Sequence, residues 1–350
     1  MPKSLVRKDL EGFQPYVPGE QPPDAEGWTK LNTNESPLPP SPKVIQAIKD
    51  AAGDSLRLYP SPTAAPARRA IASHLRLDPA QVTVGNGGDE MIELCFRAFA
   101  GPGGSVAYPT PTYPLLEPLC RIHSASPSTH PTERFDVLPP GLAADPAPLK
   151  FIVNPNSPTG TVFEPAAIEA VISDSPGVVV VDEAYADFAP RSCLPLLASH
   201  ANLLILRTFS KSYSLAGMRI GFAAGSPDLI ATLDSVKDSY NLDRLAIVAA
   251  VAAIQDDAHH RKITSHVIAE RGWLSGRLRE IGFEVTPSAA NFVFVKPPAG
   301  RSAATVAGGL RARKILVRHY DREPIVGWLR ITIGMREQHE RLLAALKEIL

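Results

Sequence analysis

The stretch that decides the fold is Asn202-Leu-Leu-Ile-Leu-Arg-Thr-Phe-Ser-Lys-Ser-Tyr-Ser-Leu-Ala-Gly-Met-Arg-Ile-Gly-Phe-Ala223. Its first part, Asn202–Arg207, is a short apolar run that predicts a buried β-strand. Its last part, Arg219–Ala223, predicts a second strand. Lys211 lies between them in a polar loop, flanked by two serines. Because α/β proteins bind ligands where loops follow the carboxyl ends of strands, this loop is a candidate functional segment.

Similar apolar runs precede this stretch and alternate with helical patterns. The further predicted strands are Gln81–Val84, Ser105–Tyr108, Leu149–Val153 and Val178–Val181, and the segment Met91–Ala100 predicts a helix. Short strands rich in Val and Ile between helices indicate a largely parallel sheet that is buried on both faces. We therefore expect an α/β fold.

Proline divides the chain, because it interrupts helices and central strands. It supplies 35 of the 350 residues, yet only Pro227 interrupts residues 200–285, so the Ala-rich run Leu229–Ala269 predicts long helix. The strands predicted after it are Asn291–Val295, Ile315–His319 and Trp328–Ile333. We expect an irregular arm over residues 1–30, a large domain over 31–270 and a small α+β domain over 271–350.

Composition excludes several classes of protein. The chain has 36 basic and 36 acidic residues and is 44% apolar, unlike a disordered chain or a typical nucleic-acid-binding protein. Cys95, Cys120 and Cys193 lie far apart without metal-ligand spacing, so we expect reduced thiols in the cytoplasm and no metal site. Met1–Leu10 lacks the apolar run of a secretory signal, and no stretch approaches the roughly 20 apolar residues of a membrane span.

Lys211 and its neighbours suggest covalent and anion-binding chemistry. A lysine in such a loop can form a Schiff base if its surroundings lower its pKa, although an exposed loop lysine would also fit the pattern. Thr208 and Ser210 supply hydroxyl groups, and Arg219 follows across a glycine-bearing turn. Together these three side chains predict a phosphate site.

Two other segments end predicted strands with polar groups. Asp182 follows the apolar run Val178–Val181, where a carboxylate is costly unless it has a partner; it could also cap the next helix. The segment Val84-Gly-Asn-Gly-Gly-Asp-Glu90 leads from a strand into a helix, so its backbone amides could bind an anion at the helix N-terminus. A plain glycine-rich turn is the alternative.

The run Thr208-Phe-Ser-Lys-Ser-Tyr-Ser-Leu-Ala-Gly217, followed by Met-Arg, resembles the lysine signature of fold-type I pyridoxal-phosphate enzymes. It is similar to the class that contains the histidinol-phosphate aminotransferases, and further marks of that class recur from about residue 13 to residue 335. The resemblance implies a large α/β domain with a mainly parallel seven-stranded sheet, a smaller α+β domain, and pyridoxal 5'-phosphate as cofactor.

The resemblance also implies roles for individual residues. Lys211 would form the Schiff base and move the substrate proton, and Asp182 would pair with the pyridine nitrogen of the cofactor. Tyr185 would donate to the phenolate oxygen, and Tyr113 would stack on the ring. The residues expected at the cofactor phosphate are Gly88, Asp89, Thr208, Ser210 and Arg219.

The segment Asn154-Pro-Asn-Ser-Pro-Thr-Gly160 resembles the family loop that contacts the phenolate oxygen. The commoner pattern has Asn directly before Pro-Thr-Gly, and this chain has Ser157 there. We assign the contact to Asn156, while Asn154 and Ser157 remain alternatives.

Two tyrosines imply a homodimer with shared active sites. Tyr59, before Pro60, resembles the tyrosine that reaches the cofactor phosphate of the neighbouring subunit; an ordinary surface tyrosine is the alternative. Tyr16, in Tyr16-Val-Pro-Gly19, resembles an arm motif that extends over the partner's site.

Other matches concern the substrate. In the family, the position of Arg330 binds the carboxylate of the amino or keto acid, and an arginine in the context of Arg318 binds a substrate phosphate. The remaining residues expected to contact substrate are Asn34, Tyr240 and Asn241. These matches imply conversion of histidinol phosphate and 2-oxoglutarate to imidazole-acetol phosphate and glutamate, a step of histidine biosynthesis.

Alternative functions on the same scaffold are an aromatic or broad-range aminotransferase and a phosphothreonine decarboxylase. A ligand-sensing domain of a transcription regulator would need a DNA-binding domain before the family match, which begins near residue 13. A catalytically inactive homologue is disfavoured, because Lys211, Asp182, Tyr185 and Arg219 are all present.

Overall fold

The computed structural model describes residues 5–22 and 27–350. Residues 1–4 and 23–26, which belong to the predicted arm, lie outside the described residues. The strands are β1 (Thr29–Leu31), β2 (Val82–Gly85), β3 (Ser105–Thr110), β4 (Ser126–Pro131), β5 (Leu149–Val153), β6 (Val178–Asp182), β7 (Leu203–Thr208), β8 (Gly221–Gly225), β9 (Glu284–Val285), β10 (Phe292–Lys296), β11 (Ile315–His319) and β12 (Leu329–Thr332). The α-helices are α1 (Pro42–Ala51), α2 (Ala65–Leu75), α3 (Gly88–Phe99), α4 (Leu116–Ile122), α5 (Gly141–Ala144), α6 (Pro165–Asp174), α7 (Pro227–Val236), α8 (Arg244–Ile254), α9 (Asp257–Glu280), α10 (Ala303–Ala312) and α11 (Arg336–Ile349).

The larger sheet has seven strands in the order β2-β8-β7-β6-β5-β3-β4. Only β8 is antiparallel to its neighbours, β2 and β7. The inner strand β5 is buried along its whole length, as expected for a parallel sheet with helices on both faces. The prediction of an α/β fold with a mainly parallel seven-stranded sheet is therefore confirmed.

The smaller sheet has five strands in the order β1-β11-β12-β10-β9. Its apolar face packs against α9, α10 and α11, where Phe292, Leu310 and Leu346 are fully buried. The strand β1 pairs in parallel with β11. The sheet thus joins a segment near the start of the chain to the C-terminal strands.

The Ala-rich run predicted as helical over 229–269 forms three helices. The first, α7, ends at Val236, and α8 begins after Asp243, whose carboxylate accepts a hydrogen bond from the backbone N–H of Ala246 at 2.9 Å. The third, α9, extends to Glu280. It therefore runs through residue 270, where the sequence places a domain boundary, and the domain limits stay a prediction.

The described helices include none long and apolar enough to cross a membrane. Cys95, Cys120 and Cys193 are buried and free of disulfides, and burial raises the pKa of Cys120 to about 12. These thiols are therefore protonated and unreactive as nucleophiles at neutral pH.

Candidate active site

A cavity of about 340 Å³ lies where the carboxyl ends of β6 and β7 and the start of α3 face the small sheet. The predicted site residues that line it are Tyr16, Asn34, Gly88, Asp89, Tyr113, Asp182, Tyr185, Thr208, Ser210, Lys211, Arg219, Arg318 and Arg330. These residues come from distant parts of the sequence, and the sheet brings them together because its parallel strands end at one edge.

Lys211 and Asp182 are the two titratable groups at the centre of the cavity. Burial, together with the nearby charge of Arg330, lowers the pKa of Lys211 to about 8. Burial raises the pKa of Asp182 to about 7, although its Oδ1 accepts a hydrogen bond from the Ala184 N–H at 3.0 Å. Within residues 5–22 and 27–350, Asp182 forms no ion pair, so this carboxylate lacks a cationic partner.

Tyr185 is held beside these groups by contacts on both sides. Its ring packs edge-on against Phe292 with centroids 5.2 Å apart, and the Lys211 amine lies 5.9 Å from its ring centroid. Its hydroxyl oxygen accepts a hydrogen bond from Asn34 Nδ2 at 3.0 Å. Asn34 is itself fixed, because its backbone N–H donates to Thr332 Oγ1.

A polar cradle lies at one end of the cavity, formed by the N-terminus of α3 and the Lys211 loop. Thr208 Oγ1 lies 2.9 Å from Ser210 Oγ and accepts a hydrogen bond from the Ser210 N–H. Arg219 lies 3.5 Å from Asp89, which also accepts a hydrogen bond from the Tyr113 hydroxyl at 3.0 Å. Free backbone amides, hydroxyls and a guanidinium together suit a phosphate group.

The glycines explain why the cradle can close so tightly. Gly87 has φ +90°, and a Cβ there would lie 2.5 Å from Arg219 Nη2. A Cβ on Gly221 would lie 2.5 Å from the carbonyl carbon of Gly87. The turn before α3 therefore packs directly against β8 and Arg219 only because both positions lack a side chain.

Arg318 and Arg330 lie at the other end of the cavity, directly opposite each other across β11 and β12. Arg330 donates to Asn32 O at 3.0 Å and to Ser157 Oγ at 3.3 Å, and its buried Nε has no partner. Among the described residues neither arginine forms an ion pair. Because like charges opposite each other on a sheet repel, this end of the cavity suits an anionic ligand.

The loop at residues 154–160 differs from the assignment made from the sequence. Asn156 does not line the cavity, because its amide donates to Pro111 O at 3.0 Å and to Thr159 Oγ1 at 2.9 Å. Ser157 lines the cavity instead and accepts the hydrogen bond from Arg330. The sequence signal for Ser157 was its position directly before Pro-Thr-Gly. Here that position was a better guide to the residue that lines the cavity than the residue type was.

In the single chain, the arm lies over the cavity of that same chain, and its expected reach over a partner's site stays a prediction. Tyr16 packs edge-on against Tyr113 with ring centroids 5.9 Å apart. Arg318 holds the arm by donating to Val17 O at 2.8 Å and to Pro18 O at 3.1 Å. The predicted phosphate-binding arginine therefore also anchors the arm.

Besides Asn156, three predicted site residues lie outside the cavity, namely Tyr59, Tyr240 and Asn241. Tyr59 is 79% exposed and stacks on Tyr240, with ring centroids 4.5 Å apart. Asn241 donates to Glu90 Oε2 at 3.0 Å and to Val84 O at 3.3 Å, so it braces the glycine turn before α3. Within a single chain, these side chains do not reach Lys211.

The residues present fit pyridoxal 5'-phosphate. The Lys211 amine makes no hydrogen bond with the described residues, so it is available for bond formation. The unpaired Asp182 carboxylate needs a positive partner, and a protonated pyridine nitrogen is one. The cradle around Arg219 can take the phosphate.

Comparisons with known proteins agree with this geometry. Residues 26–346 match the family model described as aminotransferase class I and II. The chain is 44% identical over 348 residues to a histidinol-phosphate aminotransferase of Geobacter sulfurreducens, covering 98% of this chain and 99% of that protein. It is 45% identical to one of Aromatoleum aromaticum, covering 97% and 98%.

A solved structure gives the same result for the fold. It is a histidinol-phosphate aminotransferase from Sinorhizobium meliloti in complex with pyridoxal-5'-phosphate, with a TM-score of 0.85 and 28% identity. The match covers 92% of this chain and 90% of that one. The chain therefore belongs to the aminotransferase class I and II family and groups with its histidinol-phosphate aminotransferases.

Proposed function

We propose that the protein transfers the amino group of histidinol phosphate to 2-oxoglutarate, with pyridoxal 5'-phosphate as cofactor. The observation that carries this proposal is the pair of opposed arginines, Arg318 and Arg330, at one end of the cavity and Lys211 at its centre. An enzyme that alternates between a phosphate ester and a dicarboxylate needs two cationic groups in its substrate pocket, because the dicarboxylate carries two negative charges. The cofactor phosphate has its own cradle around Arg219.

The bound cofactor would supply an electron sink that stabilises negative charge developing at the substrate Cα. Asp182 would hold the proton on the ring nitrogen, because a buried carboxylate with a raised pKa gains most from a cationic neighbour. Tyr185, kept in place by Asn34, would donate its hydroxyl proton toward the ring oxygen.

Lys211 would accept the proton from the substrate Cα and return it at the neighbouring carbon of the cofactor. A pKa of about 8 leaves part of the amine neutral near physiological pH, and a base works best when its pKa is close to the operating pH. The cradle residues Thr208, Ser210 and Arg219 would hold the cofactor phosphate in place throughout the reaction.

Arg330 would bind the carboxylate of 2-oxoglutarate, with Ser157 fixing one of its terminal nitrogens. Arg318 would bind the distal anionic group, which is the phosphate in one half-reaction and the second carboxylate in the other. Tyr113 would stack on the cofactor ring, and Tyr16, which packs edge-on against Tyr113, would cover the site.

The active form would be a homodimer in which Tyr59 contributes to the partner's phosphate cradle. Tyr59, Leu56 and Leu58 are 79%, 53% and 51% exposed and lie in one short segment, so the single chain leaves an apolar surface there.

The three buried thiols are consistent with a cytoplasmic location. The large and small domains would meet near the cavity, as the boundaries 31–270 and 271–350 imply.

The test is a half-reaction screen of the cofactor-loaded enzyme with one amino donor at a time. We expect histidinol phosphate to give the highest kcat/KM, and 2-oxoglutarate to restore the starting visible spectrum. A much higher efficiency with phenylalanine or tyrosine would assign the enzyme to the aromatic class. Carbon dioxide release without a keto acid would identify a decarboxylase.

A further inference from the structure

Asp187 lies beside the cavity, in a short turn after β6, and does not line it. Its Oδ2 accepts a hydrogen bond from the Ser212 hydroxyl at 2.5 Å and lies 3.2 Å from His260 Nε2. Its Oδ1 lies 3.4 Å from Arg207 Nη1. Ser212 directly follows Lys211, so this carboxylate holds the loop that carries the cavity lysine.

Arg207 extends the same network to the strand that ends in Asp182. Its Nε and Nη2 donate to Glu183 Oε2 at 3.0 and 2.8 Å. Glu183 is fully buried and also accepts hydrogen bonds from Ser192. The residues that directly follow Asp182 and Lys211 therefore belong to one network of charged groups, Glu183–Arg207–Asp187–Ser212.

His260 closes the network from α9. Its ring stacks on Tyr213, two residues after Lys211, with centroids 4.3 Å apart. Burial alone would raise the pKa of Asp187, but the hydrogen bond from His260 and the charge of Arg207 hold that pKa well below its usual range. The carboxylate is therefore ionised and accepts strong hydrogen bonds throughout the neutral range.

We propose that Asp187 is a positioning residue for Lys211, acting through the Ser212 hydroxyl and fixed in turn by His260 and Arg207. Because the Lys211 amine makes no hydrogen bond with the described residues, its position depends on the backbone of its loop. Proton transfer and bond formation both require the amine at a defined point, so a loose loop slows them. The proposal rests on the proposed function in taking Lys211 as the cofactor lysine.

The chain offers a matched control for this carboxylate. Asp145 Oδ2 accepts a hydrogen bond from Ser128 at 2.6 Å and lies 2.8 Å from His130 Nε2, and none of these three residues lines the cavity. Asp187→Asn and Asp145→Asn thus remove the same kind of Ser–Asp–His contact at two places. Only the first contact borders Lys211.

The experiment compares kcat, KM for the amino donor, and the rate at which cofactor-free protein regains visible absorbance after addition of pyridoxal 5'-phosphate. We expect Asp187→Asn to lower kcat and the capture rate by about tenfold with KM unchanged. Asp145→Asn should leave all three values unchanged, although both variants should unfold at a lower temperature. A general loss of stability cannot produce this difference, because it would affect both variants.

A folded Asp187→Asn protein with an unchanged capture rate and kcat would overturn the proposal, as would equal losses in Asp145→Asn. If Asp187→Asn does not fold, His260→Phe decides by the same criteria, since it keeps a ring against Tyr213 and removes the N–H donor. We expect about a threefold loss of capture rate there. If the unmodified protein captures no cofactor, the proposed function fails, and this proposal with it.

Discussion

At the scale of single residues, Asp182 is unusual because its carboxylate is buried and forms no ion pair with the described residues. Its pKa of about 7 in the folded protein exceeds the value near 4 of an unfolded chain, so the folded state binds the extra proton. On account of this group alone, the stability of cofactor-free protein falls as pH rises from about 4 to about 7 and is level above that.

Asp182→Asn removes this dependence because asparagine carries no charge. From pH 5 to pH 8, we expect the free energy of unfolding of the variant to rise relative to that of the unmodified protein by on the order of 3 kcal/mol. Urea titrations of both cofactor-free proteins at the two pH values measure the difference. A difference in the free energy of unfolding that stays constant with pH would contradict the cost that we assign to burying the Asp182 carboxylate.

Lys211 carries the most direct prediction at this scale. Lys211→Ala should abolish both the visible absorbance of the cofactor-loaded enzyme and turnover, because no other described lysine lines the cavity. Lys30 is a suitable control, since its amine is paired with Glu35 at 2.6 Å and Lys30→Ala leaves Lys211 in place. Retained turnover in Lys211→Ala would disprove the proposed mechanism.

The loop at residues 154–160 shows how far residue type leads. The spacing pointed to this loop, and its Ser157 lines the cavity. The spacing could not tell which side chain faces the cavity, because that depends on the backbone path through two prolines. Asn156 has the expected amide and uses it on Pro111 and Thr159, whereas Ser157 reaches Arg330. In this loop, the direction in which a side chain points therefore decides its contacts more than its residue type does.

At the scale of elements, predictions succeeded where burial dictates composition. The inner strands β5, β6 and β7 consist mostly of Val, Ile and Leu, and the sequence located each of them to within a residue. The edge strand β4 was missed because its six residues, Ser126–Pro131, include none that is buried. The strand β1 has three residues and exists through its pairing with β11, which no local pattern records.

The contact between the turn before α3 and β8 gives a prediction about cofactor binding. In Gly221→Ala the new Cβ would meet the Gly87 carbonyl carbon at 2.5 Å and push the turn out of the phosphate cradle. We expect the dissociation constant for pyridoxal 5'-phosphate to rise at least about tenfold, as for the loss of one good phosphate contact.

Gly217→Ala is the matched control, because Gly217 lies on the same connection between β7 and β8 and a Cβ there meets nothing within 4 Å. It should bind the cofactor as the unmodified protein does. Absorbance titration of both variants measures the constants. Equal affinities for the two variants would show that the turn adjusts without cost.

At the scale of the whole molecule, the site of a single chain is nearly complete. One cavity holds the proposed lysine, the carboxylate, the cradle and both substrate arginines, and the arm covers it from the same chain. Tyr59 and its stacked neighbour Tyr240 lie outside this cavity. The resemblance implied shared sites for both the arm and Tyr59, and both stay proposals.

Mixing two variants tests which subunit Tyr59 serves. Lys211→Ala chains have no lysine for the cofactor, and Tyr59→Ala chains should bind it weakly when cofactor is scarce. If Tyr59 acts in the partner's site, a mixed dimer has one site with Lys211 from one chain and Tyr59 from the other. Random pairing of equal amounts should then restore about a quarter of the activity of the unmodified enzyme.

If Tyr59 instead serves the site of its own chain, every site in the mixed dimer lacks one of the two side chains. The mixture would then show no more activity than the sum of its separate components. Activity is measured at limiting cofactor after the two variants have been unfolded together and refolded, with each variant refolded alone as the control. Size-exclusion chromatography of the same samples checks that dimers form, so that a lack of restored activity reflects the position of Tyr59 rather than failed assembly.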